Sequence, residues 1–189
     1  MTDIDKPLID KKRRFRILSI DGGGIKGLIP AALLSEIQNR IDNPIWSYFD
    51  LICGTSTGGI IALGLGIEKP ITEIVNLYAI LGSEIFPVKT KTKIDKIKDF
   101  LSIYLGSGAL YDSRKLEAIL RKEFSKDNVV FKMEDSCTRL CIPSIDITNG
   151  KVRVYKTPHA VIHPSEETYS VDRDKEMWQV AMATSAAPT

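Results

Sequence analysis

The chain has 189 residues, 43% hydrophobic and 26% charged, which is long enough for one substantial core and too balanced in composition for a disordered tract. A formal net charge of +2 points by itself to no anionic partner. Three cysteines, Cys53, Cys137 and Cys141, are an odd number at no metal-ligand spacing, so neither a disulfide scaffold nor a zinc site is expected and a reducing compartment is.

Residues 1–14 read as a polar tail, and 15–189 as one domain without repeats or linkers. The charged start, Met1-Thr2-Asp3-Ile4-Asp5, is no secretory signal. A strand over 16–20 leads into Asp21-Gly22-Gly23-Gly24-Ile25-Lys26-Gly27. Apolar residues Leu28, Ala31, Ala32, Leu34 and Ile37 then keep helical spacing, and Asn43-Pro44 ends a helix expected from Leu28 to Ile41. A second strand over 49–53 runs into Gly54-Thr55-Ser56-Thr57-Gly58-Gly59 and a helix. The apolar run there, 58–67, is about half of what crosses a bilayer. Pro70 opens a helix with Ile74, Leu77, Tyr78 and Leu81 on one face. The lysine-rich stretch 87–111 reads as an insertion over the site, and Tyr111-Asp112-Ser113 as the cap of a helix to Phe124. Strands over 139–147 and 151–156 meet at Thr148-Asn149-Gly150, where Asn-Gly signals a hairpin, and a last helix spans Asp174 to Ser185. Strands alternating with helices imply a mostly parallel sheet covered on both faces.

Both glycine-rich segments then lie at the carboxyl ends of strands, where open α/β sheets bind ligands. Ser56, between Gly54 and Gly58, has the spacing of a nucleophile elbow, a turn so tight that only glycines fit beside the serine. The helix behind it directs its positive end at the hydroxyl. The N–H groups of Gly22, Gly23 and Gly24, with Thr57 N–H after the nucleophile, can converge on one oxyanion. A GxSxG alone arises by chance, and Gly22-x-Gly24-x-x-Gly27 also fits a dinucleotide fingerprint. That alternative needs an acid at the end of the second strand; Asp42 has the spacing but precedes Asn43-Pro44 in a turn. A dinucleotide site does not need the serine turn, whereas acyl transfer needs both motifs.

These motifs resemble those of patatin-like phospholipases: Asp21 to Gly27 is similar to the family's DGGGx[RK]G, Phe49-Asp50 to Gly59 to its serine elbow, and Trp178 to Thr189 to its late ATSAAPT segment. The resemblance implies an α/β fold, a three-layer α/β/α sandwich with a mostly parallel central sheet. It implies a serine lipid acyl hydrolase with a Ser–Asp dyad, Ser56 as nucleophile, and no metal or organic cofactor. Asp21, Lys26, Gly27, Gly54 and Gly58 then shape the motifs, Asp21 by bonding the loop amides and Lys26 by holding the loop or meeting lipid phosphate. Phospholipid or another acyl lipid is the expected substrate, with a cytoplasmic protein touching the membrane peripherally. The segment Leu77 to Pro87 is similar to bacterial members, some of them switched on by cyclic nucleotides, though no nucleotide pocket is readable here.

One departure matters. The family's dyad aspartate sits in an Asp-Gly-Gly or Asp-Gly-Ala motif soon after ATSAAPT, and no Asp-Gly follows Asp21-Gly22 in this chain. The 189 residues therefore read as the front of a catalytic domain whose base lies beyond Thr189, with little activity alone; a truncated, inactive lipid- or partner-docking module is the other reading. A triad of Ser56, Asp146 and His159 or His163 has the chain order of α/β-hydrolases, but both histidines lie in a proline-flanked loop. The basic groups Lys11 to Arg14 with Arg16, and Lys89, Lys91, Lys93, Lys96 and Lys98, read as solvated surface or as attraction to anionic lipid of about 1 kcal/mol per residue. No aromatics interleave with them, so no nucleic-acid polymer is expected.

Overall fold

The computed structural model describes residues 14–84, 113–158 and 172–186. The expected tail up to residue 13, the insertion over 87–111, both histidines and the last three residues lie outside the described residues.

Strands β1 (Ile17–Ile20), β2 (Leu51–Gly54), β5 (Arg139–Asp146) and β6 (Lys151–Lys156) form one sheet in the order β1-β2-β5-β6. The first three are parallel, with Ile20 beside Gly54 and Cys53 beside Cys141; β6 is antiparallel to β5. Helices α1 (Leu28–Gln38), α2 (Thr57–Gly66), α3 (Ile71–Glu84), α4 (Ser113–Glu123) and α5 (Met177–Ser185) flank it. The architecture is the expected α/β sandwich with a mostly parallel sheet.

Helix α2 is the core. All ten of its residues are buried, as befits a helix apolar on every side. Its Ile60, Ile61, Leu63 and Leu65 join Ile52, Leu140, Ile142, Tyr78, Met177 and Val180 in one cluster. Helices α1 and α3 pack on each other, burying Ala31 and Leu34 on one side and Ile74, Leu77 and Leu81 on the other. The outward face of α1 stays exposed, with Ile29 at 70% and Leu33 at 60%.

Several boundaries differ from expectation for local reasons. Helix α1 stops at Gln38, whose side chain accepts Ile45 N–H at 2.7 Å and donates to Asn43 O, clamping the bend that follows. Helix α5 starts at Met177 rather than Asp174, because Met177 N–H is taken by Phe131 O at 2.8 Å and Glu176 bridges Lys132. The β5–β6 connection spans 147–150; only Gly150 has positive φ, and the Asp146 carboxylate caps the turn through Thr148 N–H and both Asn149 nitrogens. A short ribbon of β3 (Ser125–Lys126) and β4 (Val129–Val130) turns at Asp127 and Asn128, both at positive φ.

Candidate active site

β2 ends at Gly54 and α2 begins at Thr57, so Thr55 and Ser56 make the whole turn. Ser56 consequently sits at φ 53°, ψ −126°, a region that L residues avoid at a cost of about 1–3 kcal/mol. The turn closes only because side chains are missing around it. A Cβ at Gly54 would strike Gly58 O, and one at Gly58 would strike Ile20 O. Ser56 precedes the first turn of α2, where unpaired N–H groups and the helix dipole favour negative charge.

The glycine loop comes down onto this turn. A Cβ at Gly22 would strike Thr55 O and come within 2.6 Å of Ser56 Cβ. Gly23 and Gly24 have φ of 153° and 58°, conformations open to glycine. Thus the two segments, separated in sequence, meet at the carboxyl ends of adjacent strands. Gly24 opens a 3-10 turn and Thr57 opens α2, so neither N–H has an acceptor within its own helix. Gly23 N–H donates to Thr57 Oγ1 at 3.2 Å. The loop is therefore tied to the residue after the serine. The amides of Gly22, Gly23 and Gly24 do not donate to Asp21, whose side chain lies exposed; the loop is held by Thr57 where Asp21 was expected. Lys26 is exposed and closes the turn through its backbone, N–H to Gly23 O at 3.2 Å. Gly27 is buried, and a Cβ there would come within 2.7 Å of Tyr78 Cε1 and 2.8 Å of Thr57 Oγ1.

Two side chains from other helices bond to this turn, contacts that the sequence does not show. Tyr78, fully buried on α3, donates its hydroxyl to Thr57 O, and burial raises its pKa. Thr184 of α5 accepts Ser56 N–H at 3.0 Å and donates to Pro143 O at 2.6 Å. Helical spacing marks Tyr78 as core; Thr184 lies in the ATSAAPT-like segment that the sequence singles out, but nothing in that segment names Ser56 as its partner. Cys53, three positions before the serine, has its thiol raised to about 11 by burial and by Cys141 alongside. Asp146 is engaged by its own turn, and these hydrogen bonds lower its pKa. Asp42 lies in the bend after α1, well before β2. Among the described residues no group of three His, Cys, Asp or Glu gathers as a metal site, and no helix is long and apolar enough to cross a membrane.

A mostly parallel sheet carrying a strained serine between strand and helix, under a glycine loop, is the frame of the nucleophile-elbow α/β proteins. The chain belongs to the patatin-like phospholipase family, whose profile matches residues 18–189. It is 35% identical over 174 residues to a cGAMP-activated phospholipase of Pseudomonas aeruginosa, covering 92% of this chain and 47% of that protein. It is 32% identical over 186 residues to calcium-independent phospholipase A2-gamma of Oryctolagus cuniculus, covering 94% of this chain and 22% of that one. The chain thus spans about half the length, or less, of these relatives. In fold it is similar to VipD of Legionella pneumophila, with a TM-score of 0.53, 14% identity, and coverage of 92% of this chain and 42% of that one.

Proposed function

We propose that the protein is a serine lipid acyl hydrolase of phospholipase A type. The observation that carries the reading is Ser56 at φ 53° under the Gly22–Gly24 loop, in a chain whose relatives are named phospholipases. Ser56 Oγ attacks the ester carbonyl and gives its proton to a general base. The N–H groups of the Gly22–Gly24 loop and of Thr57 hold the oxyanion, Gly23 N–H by exchanging its Thr57 Oγ1 acceptor for the substrate oxygen. The tetrahedral intermediate collapses to an acyl-enzyme as the base returns its proton to the departing lysolipid or alcohol; water, deprotonated by the same base, then attacks the acyl-enzyme, frees the fatty acid and regenerates Ser56.

The base of this mechanism is an aspartate outside residues 1–189, forming a Ser–Asp dyad. In support, Asp146 is engaged in its turn, and the relatives extend well beyond the matched segment. Peripheral contact with a membrane is supported by the α1 face, which starts directly after Gly27 at the end of the glycine loop, and a cytoplasmic location belongs to the same reading. Residues 27–35 carry no charge, yet Leu28, Ile29, Ala32 and Leu33 are exposed. A cyclic-nucleotide activator, as named for the Pseudomonas relative, is the regulatory extension of the same reading.

A fluorophosphonate probe and a short-chain ester test the proposal. Labelling of Ser56 together with ester turnover supports it, and their absence in the natural-length protein refutes it. Comparing residues 1–189, the natural-length protein, and that protein with its dyad aspartate changed to asparagine locates the base. Turnover is expected in the second alone; equal turnover in all three places the base within residues 1–189 and rules out the proposed dyad.

A further inference from the structure

Where β2 leaves the sheet for α2, it parts from its neighbour β5. Their last register pair is Cys53 beside Cys141. Beyond that pair, Ser56 N–H belongs to neither the sheet nor the hydrogen bonds inside α2, and Pro143 O faces a strand that has already turned away. One side chain meets both groups. Thr184 Oγ1 accepts from Ser56 N–H at 3.0 Å and donates to Pro143 O at 2.6 Å. Its methyl is keyed as well, since a Cβ at Gly59 would come within 2.8 Å of Thr184 Cγ2. Hydroxyl and methyl thus fix a single rotamer, and α5 reaches across 128 positions of sequence to grip the peptide of the serine.

We propose that Thr184 is a positioning residue for Ser56. It holds the peptide in the φ 53° conformation that projects Oγ, and it occupies the Ser56 N–H so that the oxyanion falls to the glycine loop and Thr57 N–H. The role rests on the serine-hydrolase reading above. It differs from a purely structural role because the hydroxyl is required at the chemical step, whereas substrate binding is left alone.

The natural-length protein carrying Thr184→Val or Thr184→Ser tests this. Valine keeps the shape and loses both hydrogen bonds; serine keeps the bonds and loses the methyl. Misplacing a reacting group by about 1 Å costs up to about 100-fold, so Thr184→Val is expected to lower kcat and the rate of fluorophosphonate labelling by about 10- to 100-fold, with KM within about twofold. Thr184→Ser should keep kcat within about threefold, since the same hydrogen bonds remain. Amide exchange in the segment 54–60 should accelerate in Thr184→Val and not in Thr184→Ser. A Thr184→Val protein with wild-type kcat and exchange overturns the proposal, as does equal loss in both variants, which would assign the effect to the methyl on Gly59. Should wild type neither hydrolyse nor label, the hydrolase reading fails by itself; unchanged exchange at 54–60 in Thr184→Val would then overturn the positioning role as well.

Discussion

The two ends of the β1–β2 pair are built by opposite means. At the amino end, direct bonds between neighbours do the work: Asp50, 5% exposed, accepts Arg16 N–H at 2.8 Å, and Asp50 N–H returns a bond to Arg16 O at 2.9 Å. At the carboxyl end the backbone is strained at Ser56, side chains are absent at Gly22, Gly54 and Gly58, and the hydroxyls that steady the turn arrive from α3 and α5. One end is a fastening legible from two adjacent strands. The other is a reactive turn whose restraint comes from elsewhere, as expected where strain serves function.

Replacing the serine should give the largest effect. Ser56→Ala is expected to lower ester hydrolysis by about 10⁴-fold or more while the fold survives, as a loss confined to the reactive end. Near-wild-type turnover of a short-chain ester would break the assignment. Next comes Gly23→Val, expected to cost about 100- to 1000-fold in kcat by displacing an oxyanion donor. A Cβ at Gly23 meets nothing closer than Lys26 Cβ at 3.6 Å, so the protein should remain folded and lose activity through its φ of 153° rather than through a clash. Normal hydrolysis by that variant would remove the loop from the mechanism.

Near the end of β2, the Cys53 thiol, pushed up to about 11 chiefly by burial, forms thiolate only at high pH. At pH 8 its alkylation by iodoacetamide should be about 100-fold slower than that of an unburied thiol, rising tenfold per pH unit until the thiol titrates. A rate at pH 8 equal to that of an unburied thiol would mean an open strand end.

At the amino end, Asp50→Ala should destabilise by about 1–3 kcal/mol by leaving Arg16 N–H without its acceptor, with kcat unchanged. Denaturant midpoints and ester kinetics measured together check both halves of that statement. The smallest effect isolates the strain itself: Ser56→Gly should be about 1 kcal/mol more stable than Ser56→Ala, because glycine accepts φ 53° at lower cost. Equal midpoints would mean that the turn is not strained in solution.

The order of strands and helices was readable from periodicity and punctuation, and so was the pairing of a glycine loop with a serine turn. Those signals are local: Pro70 immediately precedes α3, and Gly54-x-Ser56-x-Gly58 permits a tight turn at a strand end. Reading failed where a contact outside the helix itself set its boundary. Gln38 ends α1 early by gripping Ile45, and Met177 starts α5 late because Phe131 takes its amide. The β3–β4 ribbon had a local sign in Asp127-Asn128, but strands of two residues carry too little alternation to register.

By itself the sequence determined the chemistry on offer: a serine in a turn that only glycines permit, and amides left bare by a triple glycine. Tertiary structure alone decided how those parts are held. Gly22 lies against Ser56 because β1 and β2 are neighbours in register, Gly23 is tied to Thr57 rather than to Asp21, and Ser56 N–H is gripped by Thr184. The reason is physical. Backbone groups stranded when a strand leaves its sheet need partners from whichever element packs there, and packing joins residues that no local pattern relates.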